Sequence, residues 1–224
     1  MVAPEATSSL AALYKLDGGV TSTSPVFVQT VSPAASSTNL TSTPNPSQFH
    51  QTIVLRATVT SATGVIPTGN VTFKDGLSNI GTLVLTSGAA SLSVSNLNVR
   101  SHSITAVYAG SPSFSASTSS PVSQTVNRAT TTTTLASTPN PSIGGTVVTF
   151  TATVVGAYGG NPTANVTLKD ATTLIGTAAV SATTHQATFA ISTLSVGTHN
   201  VTATFVGGEG FAPSSSAVLQ QIVH

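Results

Sequence analysis

The chain has 224 residues, of which only 5% are Asp, Glu, Lys or Arg, and six basic residues against five acidic ones leave a formal net charge of +1. So weak a field, without a Lys/Arg cluster, excludes nucleic-acid or anionic-lipid binding steered by charge. The absence of cysteine excludes disulfides and thiolate chemistry, and despite a mean hydropathy of +0.31 no apolar run approaches the ~18 residues of a membrane span.

The first segment in chain order is an extension over residues 1–34. Its opening, MVAPEATSSLAALYKLDGG, has neither the basic start nor the apolar run of a signal peptide. Either a signal has been removed or the chain is part of something longer. SPVFVQTV (24–31) resembles SPVSQTV (120–126), and AALY (11–14) resembles TAVY (105–108). The extension therefore reads as the last hairpin of a preceding repeat. Two strands alone are marginal in water, so Pro25–Val31 is a strand in search of a sheet. Three readings stay open: a remnant of a longer array, an extra edge strand on its own chain, or a donor strand added to a neighbouring copy. In the last, Val26, Phe27, Val28 and Val31 are the candidate assembly residues.

Residues 35–126 and 127–224 then write one pattern twice. STPNPS at 42–47 recurs at 137–142, an offset of 95 positions. At the same offset PTGNVTFKD (67–75) meets PTANVTLKD (162–170), and IGT at Ile80 meets IGT at Ile175. Further on, SHSITAVY (101–108) meets THNVTATF (198–205) at an offset of 97, so the second repeat carries two extra residues near Ala182–Gln186. Within each repeat the apolar period is 2. Ile53, Leu55, Ala57 and Val59 share one face, as do Val71 with Phe73, Leu92 with Val94, and Ile104 with Ala106 and Tyr108. Alternation over short Val/Thr-rich runs, punctuated by Gly, Pro, Asn and Asp, predicts half-buried antiparallel strands. They fall near 37–43, 51–60, 69–75, 79–86, 89–95, 101–109 and 115–126. The fold class is all-β: two tandem immunoglobulin-like β-sandwiches of about seven strands each, preceded by the strand-forming N-terminal segment. The prolines of STPNPS cannot donate to a ladder. The hexapeptide is therefore expected to end the first strand and carry the chain to the other sheet.

No catalytic constellation emerges. Asp75 and Asp170 are repeat equivalents in KD turns at strand ends and are expected to serve the turn. His102 and His199 are equivalents at the start of the sixth strand and read as polar strand-end residues, without metal-ligand spacing. No G-x-S-x-G elbow occurs, and the reading is of a non-enzyme with no cofactor and no metal. Lys74 and Lys169 point outward by parity, which disfavours an isopeptide staple. Outward Asn70 and Asn165 are the candidate glycosylation acceptors among the N-x-[ST] sequons, and Tyr158 in GAYGGNP (156–162) is the candidate glycan-stacking residue.

Taken together, TTTTTLASTPNPS (130–142), GGTVVTFTATV (144–154), PTANVTLKD, LIGTAAV (174–180) and LSVGTHNVTATFVG (194–207) resemble the bacterial Ig-like repeats of large secreted and cell-surface proteins. The first repeat keeps the pattern with VTFKDGLSNIGT (71–82) and HSITAVYAGSPSF (102–114). The resemblance implies a non-catalytic spacer, adhesive or structural module outside the cell. Its expected partners are other copies joined head to tail, surface glycans or another cell-surface protein. A stalk, surface-layer or filament subunit is the leading expectation, and an adhesin or carbohydrate-binding accessory module of a larger secreted protein is the alternative.

Overall fold

The computed structural model describes residues 31–224 in full and, ahead of them, the backbone of four short strands. These are β1 (Ala6–Leu10), β2 (Leu13–Lys15), β3 (Thr21–Thr23) and β4 (Phe27–Val31). The chain divides into two compact units. One comprises Met1–Thr43, Val54–Ser93 and His102–Gln124, and the other Pro44–Ile53, Val94–Ser101 and Thr125–His224. All the regular structure among the described residues is β.

The first repeat runs through β5 (Ser36–Thr43), β6 (Ser47–Gln48), β7 (Ile53–Ser61), β8 (Asn70–Asp75), β9 (Ser78–Val84), β10 (Ala89–Val94), β11 (Ser101–Tyr108), β12 (Ser117–Thr118) and β13 (Val122–Asn127). One sheet is ordered β10-β7-β5 and the other β6-β13-β11-β8-β9, with β12 on β11. The second repeat has β14 (Thr131–Thr138), β15 (Val148–Gly156), β16 (Asn165–Asp170), β17 (Thr173–Ala179), β18 (Gln186–Ile191), β19 (Gly197–Phe205), β20 (Ser214–Ser215) and β21 (Leu219–Val223). Its sheets are β14-β15-β18 and β17-β16-β19-β20, with β21 on β19. The expected seven long strands are present in each repeat. The last of them starts later than the alternation suggested, because a two-residue strand (β12, β20) precedes it.

The period-2 reading places the core. Ile53, Leu55, Ala57 and Val59 are buried, and so are Val71, Phe73, Ile104, Ala106 and Tyr108. In the second repeat Val148, Phe150, Ala152, Val154, Leu168, Phe189, Val201 and Phe205 belong to one apolar cluster. Each fully buried Val, Leu, Ile or Phe among them contributes about 1.5–3 kcal/mol. In the unit containing Pro44–Ile53, the Phe49 ring meets Phe211 edge-on at 5.6 Å. The IGT motif also has a packing reason. A Cβ on Gly176 would stand 2.7 Å from Phe189 Cδ1, and one on Gly81 2.7 Å from Leu92 Cδ2.

STPNPS does what its prolines require. β5 pairs with β7 up to Thr43↔Val54, after which Ser47 and Gln48 pair in parallel with Val126 and Asn127 of the opposite sheet. In the second repeat the same crossing ends on a parallel bridge, Ser142↔Val223. The Asn between the prolines ties the crossing to the last strand with its side-chain amide. Asn140 Nδ2 donates to Gln220 O at 2.8 Å, and Asn140 Oδ1 accepts the Ile222 N–H at 3.1 Å. Asn45 Oδ1 accepts the Thr125 N–H at 3.0 Å.

Candidate functional site

Strands β16 and β19 lie antiparallel with Asp170 opposite Val201, which brings the KD corner beside His199. To the expected polar strand-end histidine and turn carboxylate the structure adds a direct contact between the two. His199 is buried, and its Nδ1 lies 2.6 Å from Asp170 Oδ2 while its Nε2 lies 2.8 Å from the Ser195 carbonyl. Neither acceptor can donate, so both contacts are hydrogen bonds only when the ring carries two N–H groups, as the imidazolium. The Asp170 hydrogen bond foremost, then the Ser195 carbonyl, hold the His199 pKa above its usual value against the opposing effect of burial. Asp170 Oδ1 also accepts the Asn200 N–H at 3.1 Å. The first repeat builds the same contact, His102 Nδ1 to Asp75 Oδ2 at 2.7 Å. The pairing lay beyond sequence spacing because 27 and 29 residues separate the partners. Its chemistry is that of a clamp. The second His199 nitrogen is committed to a backbone carbonyl rather than to a hydroxyl nucleophile, unlike the base of a Ser-His-Asp triad.

A second pair of equivalents went unread as functional. Gln124 and Gln221 are both 0% exposed. Gln221 Oε1 accepts from Ser137 Oγ at 2.7 Å, while Nε2 donates to Pro139 O at 3.0 Å and to Ser142 Oγ at 3.2 Å. Gln124 Oε1 accepts from Ser42 Oγ. Each glutamine thus ties the last strand to the STPNPS crossing of its own repeat. The signal was the shared QTV/QIV ending opposite a shared hexapeptide.

The candidate assembly residues fall on or beside β4. Val26 lies outside the described residues. Phe27, Val28 and Val31 pair in antiparallel register with Leu10, Ser9 and Ala6 of β1, and Val31 is 57% exposed. β2 pairs with β3 through Leu13↔Thr23, Tyr14↔Ser22 and Lys15↔Thr21. Of the other candidates, Asn70 and Asn165 are exposed at the first positions of β8 and β16. Tyr158 is 42% exposed and lies in the loop after β15.

A family model, the bacterial Ig-like domain (group 3), matches residues 40–127 and again 133–224. No curated protein matches the chain. Among solved structures, the fibronectin(III)-like modules of Clostridium thermocellum CbhA are similar at 17% identity, over 83% of this chain and 94% of that one, with a TM-score of 0.33. The Yersinia pseudotuberculosis adhesin InvE is similar at 16% identity, over 81% of this chain and 58% of that one, with a TM-score of 0.38. The Escherichia coli adhesin FdeC is similar at 13% identity, over 97% of this chain and 74% of that one, with a TM-score of 0.32. At these values the likenesses carry no argument about function. Matched twice in tandem over most of its length, the chain belongs to the bacterial Ig-like domain (group 3) family.

Proposed function

We propose that the chain is a non-catalytic structural module of the cell exterior, a stalk, surface-layer or filament subunit that assembles by strand addition through its N-terminal segment. One observation supports this reading above the others. β1 with β4, and β2 with β3, form two-stranded sheets of their own, and neither joins a sandwich sheet among the described residues. Two-stranded ladders are marginal in water, so this segment gains most from an added partner. The test is negative-stain electron microscopy with light scattering on the full chain and on a version starting at Ser36. Filaments or oligomers from the full chain only are expected. Monomers from both would remove strand addition.

Exposed Tyr158 favours a second reading, a glycan-contacting accessory module. A specific glycan-array signal lost in Tyr158→Ala would replace the structural reading, and a blank array would leave it standing.

A further inference from the structure

The N-terminal ladders can be laid on those of the repeats residue by residue. In the second repeat β19 and β21 pair as Gly197↔Val223, Thr198↔Ile222, His199↔Gln221, Asn200↔Gln220 and Val201↔Leu219. β1 and β4 pair as Ala6↔Val31, Thr7↔Thr30, Ser8↔Gln29, Ser9↔Val28 and Leu10↔Phe27. The buried glutamine of each repeat has Gln29 in its place, opposite the position of His199.

The match continues past the strand ends. β19 and β20 pair as Thr204↔Ser215 and Phe205↔Ser214, and β11 and β12 as Val107↔Thr118 and Tyr108↔Ser117. β2 and β3 give Leu13↔Thr23 and Tyr14↔Ser22. From Thr7 to Tyr14 the sequence then follows Ser101 to Tyr108, with Leu10, Ala12 and Tyr14 standing where Ile104, Ala106 and Tyr108 stand. In the first repeat all three of those positions are core. Two independent ladders in the repeat's own register are not expected of a generic hairpin, whose register follows its own turn.

In the complete repeats this hairpin has two neighbours that the extension lacks among the described residues. β11 pairs on its other side with β8, as β19 does with β16. The glutamine of the last strand is bonded by the serine of the first strand.

We infer that residues 6–31 are the closing hairpin of a further Ig-like sandwich. The partner that seats on it is a five-strand segment of this repeat type, equivalent to β5, β7, β8, β9 and β10, whose STPNPS-like crossing meets Gln29. It rests on the strand-addition reading for the role of the segment, though not for the hairpin's identity, and a second copy offers such a segment only where its own closing strands, β11 with β13 or β19 with β21, are displaced.

Two experiments test it. In the full chain, which has no cysteine of its own, Thr7→Cys with Thr30→Cys is expected to oxidise at least about tenfold faster than the slipped pair Thr7→Cys with Gln29→Cys, because only directly opposed positions meet disulfide geometry. Equal rates overturn the register. Next, residues 1–6 are replaced by a copy of residues 35–100, and hydrogen exchange is followed at residues 7–10 and 27–31. Slowing by about 100-fold or more over the unmodified chain is expected, and Gln29→Ala in the extended chain is expected to lower the urea midpoint by as much as Gln124→Ala. A grafted segment that stays unprotected while the two repeats remain folded overturns the inference, as does a silent Gln29→Ala. A graft that folds while the unmodified chain stays monomeric leaves the hairpin inference standing and removes filament assembly.

Discussion

At the scale of single residues, His199 is held by two acceptors that both require a hydrogen from it. Its pKa is raised in the folded chain, so its contribution to stability is complete below the unfolded value of 6.5 and is lost as pH rises through the folded value. Urea midpoints should therefore fall from pH 6 toward pH 9, and His199→Gln should flatten that slope while costing about 2 kcal/mol at low pH, the scale of a charge-assisted hydrogen bond. A pH profile with unchanged slope in the variant would contradict the assignment. Gln221 offers a second test. Gln221→Leu leaves the Pro139 carbonyl and the Ser137 hydroxyl without their buried partner, for a loss of about 2 kcal/mol by urea unfolding. An exposed substitution such as Thr177→Ala should stay within about 0.5 kcal/mol.

At the scale of elements, the crossing between sheets was legible because proline and asparagine have few alternatives. A Pro-Asn-Pro run removes two donors in three residues and breaks a ladder wherever it stands. Its compensation was not legible, since which strand the Asn side chain would reach depends on the partner sheet. Asn140→Ala removes a donor and an acceptor from β21, and it should destabilise the second repeat by about 1 kcal/mol and speed amide exchange at Ile222. Strand positions were read well where alternation is strict, as in Ile53–Val59. They were read less well over 115–126, where Ser and Thr populate both faces and burial leaves no periodic mark.

At the scale of the whole molecule, low charge decides how the surface behaves. With 5% charged residues the surface has few of the lysines that normally blunt sheet edges. On the proposed strand addition, association through the N-terminal segment should depend little on salt, changing less than about threefold between 0.05 and 0.5 M, since screening acts only on charges. Analytical ultracentrifugation checks this, and a steep salt dependence would point to ion pairing instead. Val31→Lys adds a charge to β4 and should weaken association about tenfold while leaving the unfolding midpoints of the two repeats unchanged.

By itself the sequence determined the all-β class, the duplication, the inward faces and the crossing, because each follows from local rules: period 2, turn chemistry and the missing proline N–H. It also carried the likeness of residues 1–34 to a closing hairpin. Only the tertiary structure decided that Asp170 grips His199, that Gln221 lies under Pro139, and that β1 and β4 pair in the repeats' own register. Those contacts join residues 17 to 82 positions apart. Their geometry depends on how strands stack and pair in three dimensions, which no local pattern of residues records.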